Sequence, residues 1–162
     1  WAGITPDVMS AAKGIGGGFP LGACLATEKA AVGMTPGTHG STYGGNPLAT
    51  AVGNAVLDVM LEPGFLEGVD RIARVLWGRL TELVARHPKA LVEVRGAGLL
   101  LGLRFVPEIV NGTVVDKLRA HGMLTVAAGD NVVRLLPPLI ITETQVDEAI
   151  DILDKACAEL AP

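Results

Sequence analysis

The sequence predicts an α/β protein built from two parts, and three observations support this prediction. The chain has 162 residues, 49% hydrophobic and 19% charged, which provides a packed core and excludes a disordered chain. Short apolar runs alternate with segments of helical spacing. Residues 1–47 are rich in glycine, whereas the later segments are periodic. We therefore expect part of another layer in residues 1–60 and a compact α+β unit in residues 65–162.

The first part is expected to hold strands and one long helix, separated by turns. Residues 21–27 form an apolar run typical of a buried strand, and a glycine-rich turn precedes it. Asn46 and Pro47 make a favourable helix start, because asparagine caps the first turn and proline suits the first helical position. The strands of this part have no obvious partner within the chain. The predicted apolar face of the helix consists of Leu48, Val52, Val56 and Met60.

The second part alternates helices and strands. Its clearest helix start is Thr142, because a threonine followed three residues later by Gln145 has the spacing of a capping box. A hairpin is expected where the glycine turn 96–98 separates two apolar runs. The predicted elements are helix 65–87, strands 91–95 and 99–105, helix 113–120, strands 123–127 and 132–136, and the helix that follows Thr142.

The composition excludes several classes of protein. The 13 basic and 17 acidic residues give a net charge of −4 without a basic stripe, so no nucleic-acid partner is predicted. No apolar run reaches the length of about 18 residues that a membrane span needs. Cys24 and Cys157 are too few for a disulfide framework or a metal site, and both are predicted to fill the core. The expected location is the reducing cytoplasm.

Lys13 is the strongest candidate for a reactive side chain. It lies among small and apolar residues and has no acidic neighbour in sequence. A desolvated lysine gives up its proton more readily, and a neutral amine can attack an aldehyde. The glycines within residues 14–18 would let a planar cofactor approach the backbone. A surface lysine before a flexible loop would fit the same pattern, whereas Pro20 excludes the helix that a dinucleotide fingerprint requires.

The loop 40–47 is a candidate anion site. Ser41 and Thr42 bring two hydroxyls next to the start of the predicted helix, where N–H groups and the helix dipole favour negative charge. Thr42 and neighbouring N–H groups could therefore bind a phosphate. An ordinary capping loop would explain the same residues.

Arg134 is the only charge in the apolar run 132–136. We expect it to be buried against a carboxylate, of a ligand or of the protein itself, because an unpaired buried charge is costly. Arg95 is expected to have a structural role. His87 and His121 follow helices and are expected to interact with helix C-termini.

Four segments, in this order along the chain, resemble the class-III pyridoxal-phosphate-dependent aminotransferases, most closely those of the acetylornithine type. The segments are residues 3–20, which contain Lys13, and residues 40–47, 94–102 and 131–138. The resemblance covers essentially the whole chain. It implies a fold-type I α/β transferase, with the end of the large cofactor domain in residues 1–61 and the C-terminal α+β small domain in residues 62–162.

The resemblance also implies roles for individual positions. Lys13 would hold the cofactor, pyridoxal 5'-phosphate, as a Schiff base and then move a proton between the substrate carbon and the cofactor. Thr42 would bind the cofactor phosphate across the interface of a homodimer, and Ser41 would touch the substrate. Arg134 would bind a substrate carboxylate or pair with a protein glutamate.

For the whole enzyme, the resemblance implies transfer of the δ-amino group of N-acetylornithine to 2-oxoglutarate in arginine biosynthesis. Ornithine, succinylornithine and 4-aminobutyrate remain open as donors, because this part of the chain separates them poorly. The family's phosphate-cradling loop, stacking aromatic ring, second substrate arginine and pyridinium-binding aspartate have no match among these residues. We therefore expect the chain alone to be inactive, and a catalytically inactive fold module is the other interpretation.

Overall fold

Residues 3–160 are described by a computed structural model. They divide into two units, one ending at Phe65 and the other beginning at Leu66, and each unit has its own sheet. No helix in the described range is long and apolar enough to cross a membrane. In the same range, no group of three or more His, Cys, Asp and Glu side chains could hold a metal ion.

The first unit is built on a two-stranded antiparallel sheet. Strand β1 (Val8–Ala12) pairs with strand β2 (Gly22–Ala26), which confirms the strand predicted at residues 21–27. The expectation that these strands lack a partner within the chain is therefore wrong. Strand β1 was not predicted, because its small residues have weak strand propensity and most of its side chains are exposed, so no apolar alternation marks it.

Two helices complete the first unit. Helix α1 (Glu28–Ala31) is a single turn, and helix α2 (Pro47–Met60) confirms the predicted long helix. The Asn46 side chain caps α2 as predicted, since its Oδ1 accepts the N–H of Ala49 at 2.9 Å. The predicted apolar face of α2 is only partly buried: Val52, Val56 and Met60 are half-buried, whereas Leu48 is 62% exposed. The fully buried positions of α2 are Ala49 and Gly53.

The first unit buries very little of its own surface. Among residues 3–65, the buried positions are Gly16, Ala49 and Gly53. Large apolar side chains on both strands are exposed, and so is Cys24, which contradicts its predicted place in the core. An apolar surface that is exposed in this way is typical of a region that contacts other protein.

The second unit contains a four-stranded antiparallel sheet in the order β3-β4-β6-β5. Strands β3 (Leu91–Ala97) and β4 (Leu100–Phe105) form the predicted hairpin, and β5 (Val126–Ala128) pairs with β6 (Val132–Leu135). Strand β5 is shorter than predicted. Its antiparallel continuation would bring residues 123 and 124 opposite Pro137 and Leu136, and Pro137 has no N–H to donate to the ladder.

Three helices accompany this sheet, namely α3 (Phe65–Arg86), α4 (Asn111–Ala120) and α5 (Glu143–Leu160). The capping box of α5 is confirmed, because Thr142 N–H donates to Gln145 Oε1 at 3.0 Å and Gln145 N–H donates to Thr142 Oγ1 at 3.3 Å. Helix α4 begins two residues earlier than predicted. Its first N–H donates to Asn131 Oδ1 at 2.9 Å, a cap from a distant turn that local sequence does not reveal.

The three helices and the strands of the second unit enclose its hydrophobic core. Full burial of one large aliphatic or aromatic side chain contributes about 1.5–3 kcal/mol, so this unit has an adequate driving force for folding. The most completely buried side chains include Leu80, Leu83, Leu103, Phe105, Leu118, Val146, Leu153 and Cys157.

The two histidines that follow helices close those helices with their backbone. The N–H groups of His87 and His121 each donate to a carbonyl in the last turn of the preceding helix, both at 3.1 Å, which confirms the predicted interaction with helix C-termini. Their rings contact carboxylates of α5: His87 Nε2 lies 3.0 Å from Asp154 Oδ1, and His121 Nε2 lies 3.2 Å from a carboxylate oxygen of Glu159. Local sequence did not predict these ring partners, because they belong to a distant helix.

The two cysteines should differ strongly in reactivity. Burial, with a smaller contribution from the Asp154 carboxylate, raises the pKa of the Cys157 thiol to about 12, so this thiol stays protonated and covered at neutral pH. Cys24 is exposed. In the native chain at pH 8, we expect a disulfide reagent such as DTNB to modify one thiol quickly and the second only on unfolding. Cys24→Ser should remove the fast phase, and two fast thiols would contradict the burial of Cys157.

Candidate functional site

Lys13 begins the turn that connects β1 to β2. Residues Lys13–Gly16 form a single 3₁₀ turn, which closes where Gly17 N–H donates to the carbonyl of Gly14 at 3.0 Å. The backbone of Lys13 has φ +58°, in the left-handed region that residues with a side chain rarely adopt. Such a conformation persists only where the surrounding structure imposes it, and it is common at functional sites.

The Lys13 side chain is accessible. It is exposed and borders a shallow depression of about 540 Å³. None of the ion pairs found among residues 3–160 includes Lys13. The sequence suggested a desolvated amine, but the described residues of the first unit do not bury it. The other residues that line the depression are Gly14, Gly17, Gly18, Phe19, Pro20 and Leu21.

The loop before α2 exposes the two predicted hydroxyls, Ser41 and Thr42. Ser41 Oγ accepts the N–H of Gly44 at 3.0 Å, and it can still donate its own O–H to a ligand. Fewer backbone donors are available here than the sequence suggested. Pro47 has no N–H, and the N–H groups of Gly44 and Ala49 already donate within the loop and cap. An anion at this loop would therefore use the hydroxyls together with those N–H groups that do not donate within the loop and cap.

Arg134 lies on β6 in the second unit. It is exposed, so its predicted burial is wrong. The side chains of Val133 and Leu135 enter the core, and strand alternation places Arg134 on the opposite face of the sheet. No ion pair found within residues 3–160 involves Arg134, so its guanidinium is available to an external carboxylate.

A cluster of charged side chains accompanies Arg134 on the same face of the sheet. Arg95 Nη2 lies 2.7 Å from Glu93 Oε1 and 2.8 Å from Asp130 Oδ2, and Arg104 Nε lies 2.8 Å from the same Glu93 oxygen. The hydrogen bond from Arg95, followed by that from Arg104, holds the pKa of Glu93 below its ordinary value. The structural role predicted for Arg95 is confirmed. Glu93 and Asp130 were not predicted as partners of Arg95, although their positions on a strand and in a turn were predicted.

The first unit supplies some of the groups that a cofactor with an aldehyde and a phosphate could use. An amine is accessible at Lys13, and two hydroxyls are exposed in the loop before α2. The backbone beside the amine is open, because a Cβ placed at Gly14 or Gly18 would meet no atom within 4 Å. A planar ring could therefore approach this turn without steric conflict.

Comparison with known proteins gives a consistent result. The family model of class-III aminotransferases matches residues 1–157. An acetylornithine aminotransferase from Rhodobacter capsulatus is 57% identical over 160 residues, which are 99% of this chain and 40% of that protein. One from Brucella melitensis is 56% identical over 161 residues, which are 99% of this chain and 40% of that protein. The chain thus spans about 40% of the length of the curated relatives it matches.

Solved structures agree with the sequence relatives. The ornithine δ-aminotransferase of Plasmodium falciparum superposes with a TM-score of 0.88 at 36% identity, covering 98% of this chain and 40% of that one. The ornithine aminotransferase of Toxoplasma gondii gives the same TM-score at 29% identity, covering 98% of this chain and 38% of that one. Its crystal structure shows partial occupancy of PLP at the active site.

Proposed function

Because the chain belongs to the class-III aminotransferases, we propose that it is the C-terminal part of an enzyme that transfers the δ-amino group of N-acetylornithine to 2-oxoglutarate in arginine biosynthesis. In this proposal, residues 1–61 are the C-terminal part of the large cofactor domain, and residues 62–162 form the small domain. The observation that carries the proposal is the accessible, backbone-strained Lys13 in a chain that is 57% identical to an enzyme named for acetylornithine. The cytoplasm is the proposed location.

The residues of the first unit have distinct tasks in this proposal. Bound pyridoxal phosphate would supply an electron sink for negative charge at the substrate carbon. The Lys13 amine would hold the cofactor through its aldehyde carbon, and it would be the group that moves a proton at the substrate carbon. Thr42 would donate its O–H to the cofactor phosphate, and Ser41 would donate to the substrate.

The proposed assembly is a homodimer in which Thr42 serves the cofactor of the neighbouring subunit. The exposed apolar residues of the first unit are compatible with a contact to other protein, either the rest of the same enzyme or the neighbouring subunit.

Arg134 is the proposed site for a substrate carboxylate in the second unit. Its planar guanidinium can form two parallel hydrogen bonds with a carboxylate, which a lysine cannot reproduce. In the full-length protein, we expect Arg134→Lys to raise the KM for 2-oxoglutarate by about tenfold, with a smaller effect on kcat. A change of this size corresponds to the loss of roughly one strong hydrogen bond. Arg104→Lys on the same sheet face is the matched control, because Arg104 is already paired with Glu93. Equal effects of the two changes would contradict the role of Arg134.

The choice of donor is tested by a direct assay of the full-length protein with pyridoxal phosphate. Glutamate formation from 2-oxoglutarate would be measured with N-acetylornithine, ornithine, succinylornithine or 4-aminobutyrate as donor. We expect the highest kcat/KM with N-acetylornithine. Ornithine is the second candidate, because the solved ornithine aminotransferases superpose so closely. No glutamate with any of these donors would overturn the proposal.

A further inference from the structure

Two glycine contacts join helix α2 to the turn that carries Lys13. A Cβ at Gly17 would lie 2.8 Å from Cγ2 of Val56, and a Cβ at Gly53 would lie 2.8 Å from Cδ2 of Leu21. Side chains do not approach one another this closely, so both contacts depend on the absence of a side chain. Gly53 and Val56 are three residues apart and lie on one face of α2.

The Leu21 side chain packs between helix α2 and the Lys13 turn. One side of Leu21 touches Gly53 of α2, and its Cβ lies only 3.1 Å from the place of a Cβ at Gly16. Gly16 is the last residue of the 3₁₀ turn that Lys13 begins. A side chain added at position 53 would therefore displace the end of the Leu21 side chain, which lies between the helix and the turn.

The same helix also positions the loop with the two hydroxyls. Asn46 caps α2, and its Nδ2 donates to the carbonyl of Tyr43 at 2.9 Å, which fixes the loop to the helix start. Helix α2 is thus a common platform. Its N-terminus positions Ser41 and Thr42, and its Gly53 face positions the Lys13 turn.

We propose that Gly53 is a positioning residue, which sets the distance between the Lys13 turn and helix α2 and hence the placement of the Lys13 amine. The inference rests on the proposed function, because the placement matters only if Lys13 holds the cofactor. Glycine is a poor helix former, so its presence in the middle of α2 is explained by the close contact with Leu21 rather than by helix stability.

The test uses the full-length protein with Gly53→Ala. Lysine-bound pyridoxal phosphate is reduced with borohydride, and labelling of the Lys13 peptide is measured against cofactor concentration. The unfolding midpoint of the cofactor-free protein is measured in parallel. We expect the cofactor concentration that half-saturates labelling of Lys13 to rise roughly tenfold, because even a small misplacement of a reacting group has effects of this size. The unfolding midpoint should be unchanged or higher. Gly78→Ala in α3 is the matched control, because a Cβ there would meet no atom within 4 Å.

A second substitution separates positioning from a general loss of structure. Leu21→Val shortens the side chain that an alanine at position 53 would meet. In the double variant, we expect the half-saturating concentration to return toward the wild-type value. Unchanged labelling in Gly53→Ala would overturn the inference, and so would a loss that parallels the unfolding midpoint and is not restored by Leu21→Val. Absence of Lys13 labelling in the wild type would instead overturn the proposed function.

Discussion

Replacing Lys13 with arginine is expected to reduce amino transfer by the full-length protein by about 10²- to 10⁴-fold, the usual contribution of a group that moves a proton in the transition state. Arginine keeps the positive charge and the length of the side chain. It offers no neutral amine to an aldehyde, so the cofactor loses its attachment point. Glutamate formation from 2-oxoglutarate and N-acetylornithine is the measurement.

Lys29→Arg is the matched control for this change. Lys29 is also exposed in the first unit, on the single turn α1, and has no proposed role. It should retain activity close to that of the wild type. An active Lys13→Arg variant would contradict the assignment of Lys13.

Replacing Gly96 with alanine is expected to destabilise the second unit by about 3 kcal/mol or more, among the larger effects of a single substitution. Gly96 has φ +121° within β3, and a Cβ there would lie 2.2 Å from the backbone oxygen of Leu100. The hairpin would have to open at this point. Leu99 and Leu101 would then lose their places in the core.

Gly98 provides the control within the same hairpin. Its φ is +56°, but a Cβ would meet no atom within 4 Å, so Gly98→Ala should cost only about 1–2 kcal/mol for the left-handed backbone. The measurement is the midpoint of urea unfolding, monitored by circular dichroism. Similar midpoints for the two variants would contradict the close contact at Gly96.

The sequence predicted those elements whose signals are local. The apolar spacing of α3 and the capping box of α5 act within a few residues, and both are confirmed by the structure. The β3–β4 hairpin was likewise predicted from the glycine turn between two apolar runs. Four ordered segments were sufficient to identify the family, because their combination is much more specific than any one of them.

Features that depend on distant contacts could not be predicted. The early start of α4 depends on the Asn131 side chain, which is twenty residues away. The buried face of α2 is marked by Ala49 and Gly53 rather than by its large apolar residues, since the helix packs through close contacts. Arg134 was expected to be buried, but strand alternation places it on the exposed face of β6. An isolated glycine within a helical pattern was the one available signal for the Gly53 contact.

Borohydride reduction of the full-length protein with pyridoxal phosphate, followed by peptide mapping of the label, tests whether Lys13 is the lysine that holds the cofactor. We expect a single stable adduct on the Lys13 peptide, formed in proportion to bound cofactor. Label distributed over Lys29, Lys89, Lys117 and Lys155, or no label on Lys13, would contradict it.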